Sequence, residues 1–328
     1  MIVAQDGSGE FTTIQEAIDS IPEKNTERVI LSIKAGVYKE KLVINKPFIS
    51  LIGTNKEKVL ITFGDYARKL QANGEQMGTF STYSALITGE GFVAKNITFE
   101  NHAGLGTQVG QAVAAYVDGD KIEFHNCSFL GSQDTVFTGP LPPKPKEGNR
   151  FGGPRDGLER KVGRNYFKKC YIEGDVDFIF GSATAIFQEC EIYSLDRSSD
   201  VNGFITAAST PIEEKFGYVF IDCRLTSNAA ANTVYLGRPW RNYAKTAFIN
   251  CWMGEHIKAE GWHNWDKPDA EKTTYYAEYN SRGPGGSMEK RVEWAKALTK
   301  DEVKEYSIEN VLRTIGWPSL KEYIEEKN

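Results

Sequence analysis

The chain reads as an all-β fold wound into a parallel β-helix, and three observations lead there. First, one pattern, Phe-x-x-Cys-x-apolar, recurs five times and takes in all five cysteines: Phe124/Cys127/Phe129, Phe167/Cys170/Ile172, Phe187/Cys190/Ile192, Phe220/Cys223/Leu225 and Phe248/Cys251/Met253. Second, the intervals between those cysteines are 43, 20, 33 and 28 residues. Such irregular additions to a unit of about 20 fit coils that stack on one another and shed loops of varied length. Third, Val, Ile, Thr, Phe and Tyr are plentiful and 31 glycines punctuate short apolar runs, as in strands separated by tight turns. A β-sandwich would need the cysteine pattern to be a coincidence.

Within each copy, Cys and the apolar residue two positions on share one face of a strand. The Phe three positions earlier would face the other way on a straight strand, so the chain is expected to bend between them and turn both inward. Residues 94–99 look like an earlier copy with Ile97 in the Cys place. The cysteines then form a column of small buried hydrophobes, neither a disulfide framework nor a metal site.

Taken in order, residues 11–21 carry Ile14, Ala17, Ile18 and Ile21 at helical spacing behind Thr12 and Thr13 as caps, and Pro22 ends the run. This is a short N-terminal helix over the end of the sheet structure. Residues 29–34 read as a strand, followed by short strands at 41–44, 49–52, 60–63 and 85–88. Residues 139–164 are rich in Pro, Gly and charge and lack apolar periodicity; they form a long excursion from one coil, a kind of loop often functional or mobile. After Tyr275 the pattern changes. Residues 299–306, 308–315 and 319–326 read as C-terminal helices with Thr299 and Ser319 as caps, along the outside or over the end of the coils. One domain spanning residues 1–328 is expected.

Net charge is −5 and the pI near 5.6, which argues against a nucleic-acid partner. No apolar run approaches the roughly 20 residues that span a bilayer, so no membrane partner is expected. The first nine residues lack a basic n-region and an apolar h-region. With five unpaired thiols this leads to the expectation of a cytoplasmic protein, the alternative being a secreted one whose leader was removed. His102, His125, His256 and His263 show no metal-ligand spacing, and neither a Gly-x-Ser-x-Gly elbow nor a glycine-rich phosphate loop occurs. No cofactor and no metal are expected.

The chemistry centres on Asp175-Val176-Asp177-Phe178-Ile179-Phe180-Gly181, where a carboxylate lies inside an apolar, strand-like run. A buried carboxylate is costly unless paired, so it either does chemistry or caps a turn. Asp177 lies seven residues after Cys170, and Asp134 seven after Cys127. If the excursion is set aside, the two occupy equivalent places on adjacent coils, about 4.8 Å apart by strand spacing. Carboxylates that close cannot both ionise freely, and the pair splits into an acid and a base or nucleophile. A non-functional Asp ladder is the bland alternative. The pair alone admits a retaining glycosidase as well as an esterase. Gln111 and Gln133 could supply amide donors to a developing oxyanion, Arg238 could keep a carboxylate ionised, and Trp240, Trp262 and Trp265 could stack on sugars.

Five separated segments, in order, carry a family resemblance: Gly36-Val37-Tyr38-Lys39-Glu40; Gln111-Ala112-Val113-Ala114; Gly131-Ser132-Gln133-Asp134-Thr135-Val136-Phe137; the Asp175–Gly181 run; and Leu236-Gly237-Arg238-Pro239-Trp240. Over residues 6–265 the chain resembles pectin methylesterases. The resemblance implies a single-stranded right-handed parallel β-helix, the pectin-lyase-like solenoid. It also implies hydrolysis of galacturonate methyl esters in pectin or oligogalacturonides, without a metal, by a monomer. By match, Asp177 looks like the nucleophile and Asp134 like the general acid/base. Gln111 and Gln133 look like oxyanion donors, Arg238 like the partner of Asp177, and Trp240 like a cleft residue. Phe80, Tyr83, Phe178 and Trp265 are further aromatic-cleft candidates. Ser132 replaces an aromatic residue common in the family, which implies a more open cleft wall. The long excursion points to a bacterial-type member and away from regulation by a plant-type proteinaceous inhibitor. Rival readings are a β-helix polygalacturonase or pectate lyase, and a non-catalytic carbohydrate-binding β-helix.

Overall fold

The computed structural model describes residues 1–145 and 148–320. Among them the strands form three sheets, of eleven, seven and eight strands. Each coil contributes to the sheets in turn and pairs in parallel with the next. In the first sheet the register is Phe124↔Phe167, Phe167↔Phe187, Phe187↔Phe220 and Phe220↔Phe248. In the third it is Phe129↔Ile172, Ile172↔Ile192, Ile192↔Leu225 and Leu225↔Met253. The chain is therefore the stacked-coil parallel fold that the cysteine pattern predicts.

The expected bend lies at the residue before each Cys. Asn126, Lys169, Glu189, Asp222 and Asn250 all have φ between 51° and 55°, and Asn96 takes 57° in the earlier copy. One left-handed residue, which costs a non-glycine side chain about 1 kcal/mol, carries the chain from the first sheet to the third. Phe and Cys on either side of it both enter one buried core. The phenylalanines stack coil on coil, with centroids 4.9, 4.6, 4.6 and 4.5 Å apart. Four thiols point at the carbonyl of the Phe one coil earlier, Cys170 to Phe124, Cys190 to Phe167, Cys223 to Phe187 and Cys251 to Phe220, at 3.2–3.6 Å, and Cys127 points at the equivalent Ala94 carbonyl. All five cysteines are free and buried, and burial pushes the Cys127 thiol up to about 12. Phe187→Ala, which opens a gap in the middle of the ladder, is expected to destabilise the chain by about 3–5 kcal/mol; the shift of the urea midpoint measures it.

The N-terminal helix runs Ile14–Asp19, with Thr13 accepting from the Glu16 amide and Ile14, Ala17 and Ile18 buried. The early strands form at Val29–Ile33, Leu42–Ile44, Ile49–Gly53, Val59–Phe63 and Ala85–Ile87. The C-terminal segment differs from expectation. Glu302–Tyr306 is a 3-10 turn rather than an α-helix, opened by Thr299, whose hydroxyl accepts from the Glu302 amide while Glu302 accepts from the Thr299 amide. The next helix spans only Ile308–Leu312 and stops at Arg313 in the left-handed region. Ser319 is not a cap: it sits inside a helical turn at 318–320 and its hydroxyl donates to Glu123. The rest of the predicted 319–326 helix lies outside the described residues. Val311, Leu312 and Trp317 pack on Tyr166, Ile186 and Val219 along the outer face of the first sheet. The excursion folds back on the coils. Leu141 is buried, Arg155 pairs with Asp118 at 2.6 Å, and the Phe151 ring meets Phe80 edge-on at 5.5 Å.

Candidate active site

Val176–Gly181 is a wholly buried strand of the second sheet. Asp177 has φ 52° and Asp134 φ 65°, a left-handed backbone that Asp tolerates better than most residues. The register against the next coil slips at the same place, between Val176 and Ile179. The bulge breaks the in-out alternation. Phe178 and Ile179 both enter the central core, while Asp177 and Phe180 face outward into the cleft. Phe178, a sequence candidate for the cleft wall, is therefore a core residue, turned inward by the left-handed Asp177 before it.

The two carboxylates stand in the same phase of adjacent coils. Val136 pairs with Ile179, which sets Asp134 and Asp177 each two residues before a paired position, and the Asp134 amide donates to the Val176 carbonyl at 3.1 Å. The 43-residue interval is one coil plus the excursion. Both line a cleft of about 250 Å³ together with Gln111, Gln133 and Arg238. Its aromatic wall is Phe80, Phe180, Trp240 and Trp265. Phe80 is stacked on Trp240 at 6.2 Å and backed by Phe137 and Phe151.

Arg238 reaches the cleft from the end of Val234–Gly237. A Cβ at Gly237 would sit 2.0 Å from Thr206 Oγ1, so only glycine lets this strand close on the one before it. The Arg238 amide then donates to the Thr206 carbonyl at 2.9 Å. The guanidinium donates from Nε to Asp177 Oδ1 at 2.8 Å and from Nη2 to Oδ2 at 2.7 Å. Its two faces lie 3.9 Å from the Phe204 ring centre and 3.7 Å from that of Trp265. Two in-plane bonds and two stacked rings leave the fork one orientation.

The two acids are in different electrostatic positions. Asp177 accepts both bonds of a fixed cation, the arrangement of an ionised carboxylate. Among the described residues no cation pairs with Asp134 in this way. Burial foremost, and then the negative charge of Asp177, hold its carboxyl well above the ordinary range, against the weaker opposing pull of Arg238 and a hydrogen bond with Gln133. One carboxylate and one carboxylic acid thus face the same cleft.

Other candidates fall elsewhere. Trp262 is buried against Tyr276, centroids 4.0 Å apart, and offers no sugar platform. Tyr83 lies behind the wall, edge-on to Tyr116 and covered by Lys41. Ser132 is not among the residues lining the cleft, and its hydroxyl turns inward to Asp175 at 2.8 Å. Sequence reasoning missed Phe180, Phe204 and Ala207. The register Phe180↔Ala207 shows what could have found them: one further step along the stacked phase from Asp177, in a coil that the cysteine marks before and after it bracket.

The comparisons with known proteins point to one family. The family model described as pectinesterase matches residues 1–140 and 148–314. Pectinesterase 31 of Arabidopsis thaliana is 37% identical over 307 residues, covering 92% of this chain and 88% of that protein. Among solved structures, the pectin methylesterase from carrot aligns with a TM-score of 0.81 at 30% identity, covering 96% of this chain and 93% of that one. A pectin methylesterase in complex with hexasaccharide VII gives 0.79 at 29% identity, covering 95% and 96%. The bacterial-type assignment is not supported. Four curated relatives at 33–37% identity are Arabidopsis proteins, and structural neighbours include plant, bacterial and fungal enzymes. The step from the length of the 139–164 excursion to a bacterial source therefore has no support, and the argument against a plant-type inhibitor loses its ground with it. By sequence and fold, this chain belongs to the pectinesterase family.

Proposed function

We propose that this chain hydrolyses the methyl esters of galacturonate units in pectin or oligogalacturonides to carboxylate and methanol, with Asp177 as nucleophile and Asp134 as general acid and then base. The observation that carries the assignment of roles is the asymmetry of the pair: Asp177 is clamped by Arg238, while burial and then the charge of Asp177 hold the Asp134 carboxyl well above the ordinary range. The relative bound to a hexasaccharide supports an oligosaccharide substrate.

An Asp177 oxygen attacks the C6 carbonyl carbon of the ester, and the carbonyl electron pair moves onto its oxygen. The Gln111 and Gln133 amides donate to that oxyanion. As the tetrahedral centre collapses, the C6–methoxy bond breaks and the leaving oxygen takes the Asp134 proton, giving methanol and an acid anhydride between Asp177 and the substrate. Asp134, now a carboxylate, removes a proton from water, whose oxygen attacks the substrate carbonyl carbon. The anhydride bond breaks, Asp177 returns as a carboxylate paired with Arg238, and Asp134 is again an acid. Phe80, Trp240 and Trp265 give the apolar side of the cleft on which a sugar ring can lie.

The test is methanol release from highly methylated pectin, followed against pH with EDTA present. Every step falls to side chains, so EDTA is expected to change nothing. Asp134 works protonated in the first step and its carboxyl is raised in the folded chain. Below its pKa the acid is available, and it is lost as pH rises through that value. kcat/KM is therefore expected to hold past the ordinary carboxylate range and then fall on an alkaline limb. Methanol release that requires an added divalent ion, or that falls through the ordinary carboxylate range near pH 4, contradicts the assignment.

A further inference from the structure

The cleft residues rest on a buried polar latch that the mechanism does not use. Asp175, two residues before Asp177, is 2% exposed. Its Oδ2 accepts from the Ser132 hydroxyl at 2.8 Å, its Oδ1 from the Val176 amide at 2.6 Å, and Arg197 Nε lies 3.6 Å from Oδ2. Ser132 Oγ in turn accepts from the Gly106 amide at 2.9 Å. One chain of bonds thus joins three successive coils: the turn at Gly106–Val109 just before Gln111, the turn holding Gln133 and Asp134, and the strand holding Asp177. The fit is tight. A Cβ on Gly106 would stand 2.6 Å from Gln133 Cβ, so the first turn lies against the Gln133 side chain. Backbone bonds follow the same seam, from the Asp175 amide to the Ser132 carbonyl at 2.8 Å and from the Ala112 amide to the Gln133 carbonyl at 3.0 Å.

We propose that Asp175 is a positioning residue of the ester hydrolysis, which through the Ser132 hydroxyl locks the segment leading to Gln111 onto the turn that carries Gln133 and Asp134. The inference rests on the esterase reading of the cleft and deepens it. Both amide donors must meet one oxyanion, and each sits beside one end of the latch. A small hydroxyl at 132 and a carboxylate at 175 belong together: a bulky residue at 132 could not occupy the space between Gly106 and Asp175. The latch also has an electrostatic consequence. The charged groups facing Asp134 are Asp177 and Asp175 from the next coil and Arg238 beyond them, while the preceding coil presents the neutral Gln111 to the same cleft. Asp175 is a second negative neighbour that favours the protonated form of Asp134.

Three variants separate the two effects, each assayed by methanol release on methylated pectin across pH, with a urea midpoint to confirm folding. Ser132→Ala keeps the charge and removes the latch. It is expected to lower kcat about tenfold, with the alkaline limb of kcat/KM in place. Asp175→Asn keeps a partner for Ser132 and removes the charge. It is expected to hold kcat at its low-pH plateau within about threefold while the alkaline limb moves to lower pH, since Asp134 loses a like-charged neighbour. Asp175→Ala is expected to combine both losses, so that Asp175→Asn is a rescue relative to it. If Asp175→Ala does not fold, the other two variants decide. Ser132→Ala with wild-type kcat, or Asp175→Asn with an unmoved alkaline limb, overturns the proposal while wild-type methanol release keeps the esterase reading. A wild-type chain that releases no methanol overturns both.

Discussion

Asp177→Asn is expected to lower kcat by about 10⁴-fold while KM changes little, with Asp134→Asn close behind. That loss corresponds to about 5.5 kcal/mol of transition-state stabilisation. Both effects follow from the geometry. Asn is nearly the shape of Asp, so the wall of Phe80, Trp240 and Trp265 that would hold the sugar is untouched and ground-state binding survives. The amide cannot form the anhydride. It also turns an NH2 group toward one arm of the Arg238 fork, where an acceptor is required. Asp134→Asn fails differently. The methoxide leaves without a proton and the water of the second step has no base. Steady-state methanol release with folded variants measures both; near wild-type turnover in Asp177→Asn would remove it as the nucleophile.

Arg238 carries the next largest effect. Arg238→Ala is expected to cost about 10³-fold in kcat, because it leaves two buried carboxylates facing each other without a cation. They then compete for one proton, and a protonated Asp177 is no nucleophile. Arg238→Lys is expected to recover only about tenfold of that. A lysine restores the charge but not the two parallel bonds, and its ammonium does not fill the slot between Phe204 and Trp265 that holds a planar group. Full activity in Arg238→Lys would show that charge alone suffices and that the fork does nothing.

The coil and the acid pair were legible because stacking repeats phase. Asp134 and Asp177, each seven residues after a cysteine, stand in register because turns of equal length follow those two cysteines, so the pattern located the pair once the 139–164 excursion was set aside. In the next coil a longer turn breaks the count, and Phe204 rather than Asp196 meets Val176. Four things were not legible, each for a physical reason. Phe178 was placed in the cleft by its position in the matched motif, which does not say which face a side chain takes; it stands opposite Asp177 and enters the core together with Ile179 where the strand bulges. Trp262 carries the same indole as Trp240, and only the stack on Tyr276 makes it core. Ser132 was read as a gap in the cleft wall, since nothing local to it says that its hydroxyl turns inward to a carboxylate 43 residues away. The helix predicted at 308–315 was drawn too long because Ile308, Val311 and Leu312 have helical spacing, while the left-handed turn at Arg313 that ends it has no glycine to announce it.

The most direct test of the central claim follows methanol and new chain ends together on highly methylated pectin, for the wild type and Asp177→Asn. An aspartyl esterase releases methanol from the wild type with no new chain ends, and the methanol signal disappears in Asp177→Asn. Chain ends without methanol would contradict this and make the same β-helix a depolymerase; neither product, on polymer or on methylated oligomers, would leave a cleft that binds sugar without cutting it.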